Sequence, residues 1–189
     1  MFFYKFLKTK KFLKSFTTIE MLISLTIIIL ISSLVFNFSK ISQYQSELQA
    51  QGDLIIADLK RVQDNSYLTA EYPTGGTKVI PCGYGIRFYP DRYELVVNLN
   101  SSNCSNICLG LTPASALSEN KKILKPIMKL SLQPTFNSIV FLAPKGEAVF
   151  CNGSVLLNHI QQGTIILQIK GETDNKIEIR VNSFGGISF

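Results

Sequence analysis

Residues 14–38 read KSFTTIEMLISLTIIILISSLVFNF, an apolar run entered from a lysine-rich segment and carrying a single acid, Glu20. As a helix, residues 16–38 rise about 34 Å at 1.5 Å per residue, against a hydrocarbon core of roughly 30 Å. The run is long enough to span a bilayer. An ionised carboxylate left without a partner in lipid costs on the order of 2 to 3 kcal/mol. Glu20 is therefore expected either to meet a partner inside the membrane or, as in a plain signal anchor, to sit shallow and reach the headgroups.

The formal charge of +6 suggests a nucleic-acid partner only until it is located along the chain. Lys5, Lys8, Lys10, Lys11 and Lys14 precede the apolar run with no acid among them; setting those five aside leaves 14 bases against 13 acids over residues 16–189. The basicity thus belongs to topology, because lysines beside a span stay cytoplasmic, and the bulk of the chain is expected outside the cytoplasm. Phe2, Phe3, Phe6, Leu7, Phe12 and Leu13 make the basic segment amphipathic, suited to rest on the inner membrane surface. A secretory signal cut by ordinary signal peptidase has a shorter apolar region, about 7 to 15 residues, and a small-x-small site at its far end. Ser32-Ser33-Leu34 is a poor site of that kind.

Beyond Phe38 the apolar run stops but the helical period continues. Ile41, Tyr44, Leu48, Ile55, Leu59 and Val62 recur at spacings of three, four and seven with polar residues between them. No Pro interrupts residues 16–72, and Gly52 falls near the packing face, where it allows close approach of a strand. One helix is expected from about Phe16 to about Leu68, its first half in lipid and its second half the spine of a globular head. Residues 73–78, PTGGTK, form a break, after which the period becomes two. Tyr84, Ile86 and Phe88, then Tyr93, Leu95 and Val97, predict a hairpin across Pro90-Asp91. Residues 100–120 are polar and Ser-rich and predict a long loop, with Thr112-Pro113 starting a helical turn and the loop as the first candidate for a subunit or substrate contact. Strands are expected at 127–132, 138–142, 148–150, 164–169 and 177–181, with Gly185-Gly186-Ile187 closing the sheet. About seven or eight antiparallel strands against one helix make an α+β fold.

Four cysteines, Cys82, Cys104, Cys108 and Cys151, fall on the exported side, where disulfides persist. Four cysteines allow three pairings and the sequence does not choose among them. The preferred pairing is Cys104 with Cys108 and Cys82 with Cys151. A zinc site including His159 is the alternative, disfavoured because Cys104-x-x-x-Cys108 lacks a second pair at finger spacing.

The residues offer no catalytic constellation. His159 is the one histidine and has no serine nucleophile motif beside it; Gly83-Tyr84-Gly85 lacks the third glycine of a dinucleotide loop. Asp91, Glu94 and Glu147 are carboxylates explained by turns and strand faces. The expectation is a non-enzyme with no cofactor and no metal. Lys170, Lys176 and Arg180 alternate with Glu172, Asp174 and Glu178, which argues against a phosphate-tracking surface.

Ser15-Phe16-Thr17-Thr18-Ile19-Glu20, preceded by lysines and followed by an unbroken apolar helix, resembles the processing site of type IV prepilins and type II secretion pseudopilins. The resemblance implies a basic leader over 1–15 cut by prepilin peptidase between Ser15 and Phe16, N-methylation of Phe16, and Glu20 as the acid at the fifth mature position that serves subunit assembly. The family usually has Gly before the cut; Ser15 stands here instead, a small residue in the same subsite. Major pilins usually carry Pro at the twenty-second mature position, where this chain has Asn37, so it looks more like a minor subunit. Ala57-Asp58-Leu59-Lys60-Arg61-Val62-Gln63 resembles the helix end of H-type minor pseudopilins and FimT-type minor pilins, which implies a strand-rich head. The implied organisation is leader 1–15, transmembrane and assembly helix 16–38, amphipathic continuation 39–72 and β-rich head 73–189. The implied partners are prepilin peptidase, other pilin or pseudopilin subunits and the inner membrane, with the N-terminus cytoplasmic. The function implied is a structural minor pseudopilin of a type II secretion system. A minor type IV pilin for adhesion, motility or DNA uptake is the alternative, and a membrane-tethered binding domain that never assembles is a third reading.

Overall fold

A computed structural model describes residues 17–99, 104–114, 121–126, 128–172 and 174–189, apart from the side chains of 36–39, 41 and 105. The chain is α+β and divides into two units, Met1–Ser42 and Gln43–Phe189. Helical residues Thr18–Tyr67 (α1) belong to both units, and each unit is described by itself.

In the first unit, Thr17 caps α1. Its hydroxyl accepts the Glu20 N–H at 3.3 Å, in the Thr-x-x-Glu spacing of a capping box. The hydroxyls of Ser24 and Thr26 donate back to the carbonyls of Glu20 and Ile23, both at 2.8 Å. These two hydroxyls are therefore satisfied within the helix, as an apolar medium requires. Thr18–Val35 has mean hydropathy 2.3, and none of it is buried within the structure.

In the second unit, the helical stripe Leu48, Gly52, Ile55, Leu59, Val62, Ser66 is buried at alternating spacings of four and three. It lies in one apolar cluster with residues of two antiparallel sheets. The larger sheet has seven strands: β3 (Gly83–Phe88), β4 (Arg92–Asn98), β5 (Leu111–Pro113), β6 (Lys121–Ile123), β8 (Ser138–Leu142), β9 (Ala148–Asn152) and β10 (Val155–Leu156). Their order is β10-β9-β8-β3-β4-β5, with β6 also on β4. The second sheet runs β13-β12-β11-β7, with β7 Met128–Gln133, β11 Gln162–Ile169, β12 Lys176–Asn182 and β13 Ile187–Ser188. A small hairpin pairs β1 (Tyr72–Thr74) with β2 (Thr77–Val79).

The central strands of the larger sheet are buried on both faces. Tyr84, Ile86, Leu95, Val97, Ile139, Phe141 and Phe150 point into the main cluster with the helix. The alternate residues Val96, Val140 and Cys151 join a second cluster with Ile107, Cys108 and Leu111. That second cluster explains why β8, Ser138–Leu142, reads as nearly continuous apolar text rather than strict alternation. The six-residue edge strand β7 is blocked rather than open. The Met128 N–H bonds the Lys125 carbonyl at 2.8 Å and the Leu130 N–H bonds the Pro90 carbonyl at 3.2 Å.

Four expectations change. The β-structure is split between two main sheets and a hairpin rather than forming one sheet of seven or eight strands. Residues 73–78 are not a bare break: Gly75 and Gly76, at φ +54° and +93°, turn the β1–β2 hairpin. Within 100–120, Thr112-Pro113 starts no helical turn; Leu111–Pro113 extends along β4, with Val97 opposite Thr112, because the buried Leu111 and Ala114 close that edge. The Cys104–Cys108 and Cys82–Cys151 pairing is replaced by Cys82–Cys104 and Cys108–Cys151, with Cα separations of 5.5 and 5.7 Å. Register forbids the expected long bridge. Cys82 sits beside Ala143 at one end of β8 and Cys151 beside Ser138 at the other. At about 3.3 Å per residue those positions are roughly 16 Å apart along the strand, beyond disulfide reach.

Candidate functional site

Ser15 and Phe16, the expected cleavage and methylation pair, lie outside the described residues. Glu20 is described and exposed, in the first turn of α1. It is the only charged residue in Thr18–Val35, so the assembly candidate is an apolar rod surface bearing one carboxylate near its start. Chemically, such a surface can enter lipid, pack against a like surface, and offer one acceptor to a cation. Its place in the first turn gives Glu20 a local role as well, since an acid there complements the helix dipole.

In the head, the structure draws together residues that sequence reasoning passed over. Asp58, on the helix, accepts a hydrogen bond from the Tyr93 phenol on β4 at 2.8 Å. Burial first, and then the hydrogen bond to Asp58 and its charge, push the Tyr93 phenol well above the usual tyrosine range. Ser66, fully buried, accepts the Tyr84 N–H at 3.2 Å, while its hydroxyl lies 2.8 Å from the Phe141 carbonyl to which it donates. Burial raises the Tyr84 phenol too, with Tyr72 adding to the effect, and that phenol donates to the Ala70 carbonyl at 2.7 Å. The signal available for these contacts was positional: Ser66 continues the apolar stripe by one further step of four.

Some of the surface charges are paired. Arg92 lies 3.4 Å from both Asp91 and Glu94 and sits 4.4 Å above the Tyr89 ring. Lys176 and Arg180 flank Glu178 at 2.8 and 3.2 Å, and the bonds from Lys176 and then Arg180 hold its carboxyl below the usual range. Lys125 meets Glu47 at 2.6 Å. Glu147 stands apart on the turn before β9, and Lys60, Arg61 and His159 are exposed. Among the described residues, no three His, Cys, Asp or Glu side chains converge as metal ligands. Of the expected contact loop the structure describes residues 104–114: 104–110 lie on the outer face of the larger sheet and 111–113 are its strand β5. Its flanks 100–103 and 115–120 are outside the described residues. No family model, curated protein or solved structure matches this chain.

Proposed function

We propose that this chain is a structural minor pseudopilin, cut before Phe16, N-methylated there, and assembled through its apolar helix into the pseudopilus of a type II secretion system. The observation that carries the reading is the uncovered apolar span Thr18–Val35 with Glu20 as its single charge, entered from the basic leader. After cleavage the Phe16 ammonium of one subunit pairs with the Glu20 carboxylate of a neighbour. Each charge is costly alone in a low-dielectric bundle, whereas a well-formed pair is tolerated, which favours lateral assembly over a monomer in lipid. Leu22, Leu25, Ile28, Ile29 and Val35, all exposed, supply the packing between helices. The head stays outside the cytoplasm, and type IV pilin assembly differs from this reading only in the machine that carries the filament.

The Thr17 cap on the Glu20 N–H, with Glu20 in the first turn, favours one rival, a tethered domain in which Glu20 merely begins the helix. The Glu20→Ala variant separates the two. Assembly predicts normal membrane insertion with loss of crosslinking into the filament; crosslinking at the normal level overturns the pairing.

A further inference from the structure

The two disulfides serve the second apolar cluster and not the first. Cys82, Cys108 and Cys151 belong to the cluster of Val96, Ile107, Leu111 and Val140, which shares no residue with the main core against the helix. Residues 104–111 cross the outer face of the larger sheet, tied at one end to Cys82 before β3 and further on to Cys151 on β9. On either side of the second tie the buried Asn98 amide donates to the Ile107 and Leu109 carbonyls at 2.6 and 2.9 Å. This segment covers Val96 and Val140, with Leu142, Val149 and Leu156 at the margin.

The two bridges differ in access. Cys108 and Cys151 are buried, at 3% and 0% exposure. In the outer bridge Cys82 is buried as well, at 4%, but its partner Cys104 is exposed, and the bridge forms part of the wall of a surface depression of about 600 Å³ with Ile80, Pro81 and Pro144. We propose that the pair acts as a two-step redox latch, the outer bridge opening first and its release uncovering the inner one, so that segment 104–111 seals the second apolar face only under oxidising conditions. The co-reactant is a dithiol. Its thiolate attacks Cys104 Sγ and breaks the bond to Cys82, whose thiolate takes a proton from water. The second thiol of the reductant then displaces Cys104 as a thiol and leaves as a cyclic disulfide. The inner bridge follows by the same two-electron exchange. The main core, holding neither bridge, stays folded while the segment lifts. The latch does not depend on the assembly reading.

The test uses the full chain in detergent micelles, titrated with dithiothreitol, with thiols trapped by alkylation and backbone amides followed by hydrogen exchange. The expected result is alkylation of Cys82 and Cys104 at least about tenfold faster than of Cys108 and Cys151, as access and thiolate attack dictate. Protection is then lost over 104–111 and retained at Ile55, Leu59 and Ile139. Simultaneous reduction of both bridges, protection that persists over 104–111, or collapse of the main core with the segment each overturns the proposal. A Cys82→Ala/Cys104→Ala variant keeps the test sound if the reduced chain aggregates. Its remaining bridge is expected to be reduced about tenfold faster than in the parent chain, and an unchanged rate overturns the latch.

Discussion

At Ser66 the buried stripe of the helix ends in a hydroxyl that serves two strands at once. Removing it takes a second partner from the Tyr84 N–H and the Phe141 carbonyl, which already face each other across the β3–β8 ladder, and a hydrogen bond of this kind contributes about 0.5–1.5 kcal/mol net. Ser66→Ala is thus expected to lower the unfolding midpoint of the head, read by denaturant titration, despite adding no bulk. Tyr93 supplies a pH-dependent counterpart. Its phenol is raised above the ordinary value of 10.0, so its contribution is complete below about pH 10 and is lost as the pH climbs further, where the unfolded tyrosine ionises first. Tyr93→Phe is expected to flatten the alkaline limb of a stability profile; a limb unchanged in slope contradicts the Asp58 contact. Neither contact was legible in the sequence. Position alone put Ser66 on the helical stripe and Tyr93 on the strand face, but the partners lie 18 to 75 residues away.

Among the elements, those carried by local periodicity were the readable ones. The hairpin of β3 and β4 and the pair β11 and β12 declared themselves through alternation across short turns, and the stripe Leu48, Ile55, Leu59, Val62 through its helical spacing. Short strands such as β5, β6 and β10 did not, because two or three residues carry no period and owe their conformation to the edge they complete. The disulfide pairing failed for a related reason: it depends on register between β3, β8 and β9, which no local pattern records. Gly52 was read as a point of close approach, and a Cβ there would lie 3.3 Å from the end of the Ile177 side chain on β12. Gly52→Ala is expected to change stability by no more than about 1 kcal/mol, since the gain in helix propensity offsets the crowding. Gly52→Leu, which that flexible side chain cannot clear, is expected to destabilise by about 1–3 kcal/mol. Equal effects from the two, measured by thermal unfolding, contradict the packing described.

For the whole molecule, charge and apolar surface are divided along the chain. Residues 1–15 hold five of the 19 bases, while residues 16–189 are nearly neutral, with 14 bases against 13 acids. The chain cut before Phe16 is therefore expected to give no salt-dependent DNA gel shift in the micromolar range typical of nonspecific binders. A shift that weakens steeply with salt favours the DNA-uptake branch of the pilin reading. The apolar span points the other way, toward lipid and toward like helices, and the proposed assembly begins with exposure of a new amine at Phe16. The most direct measurement is the intact mass of the native chain extracted from its own membranes. A mass that starts at Phe16 and carries one added methyl group is predicted; a chain that still begins at Met1 contradicts the account.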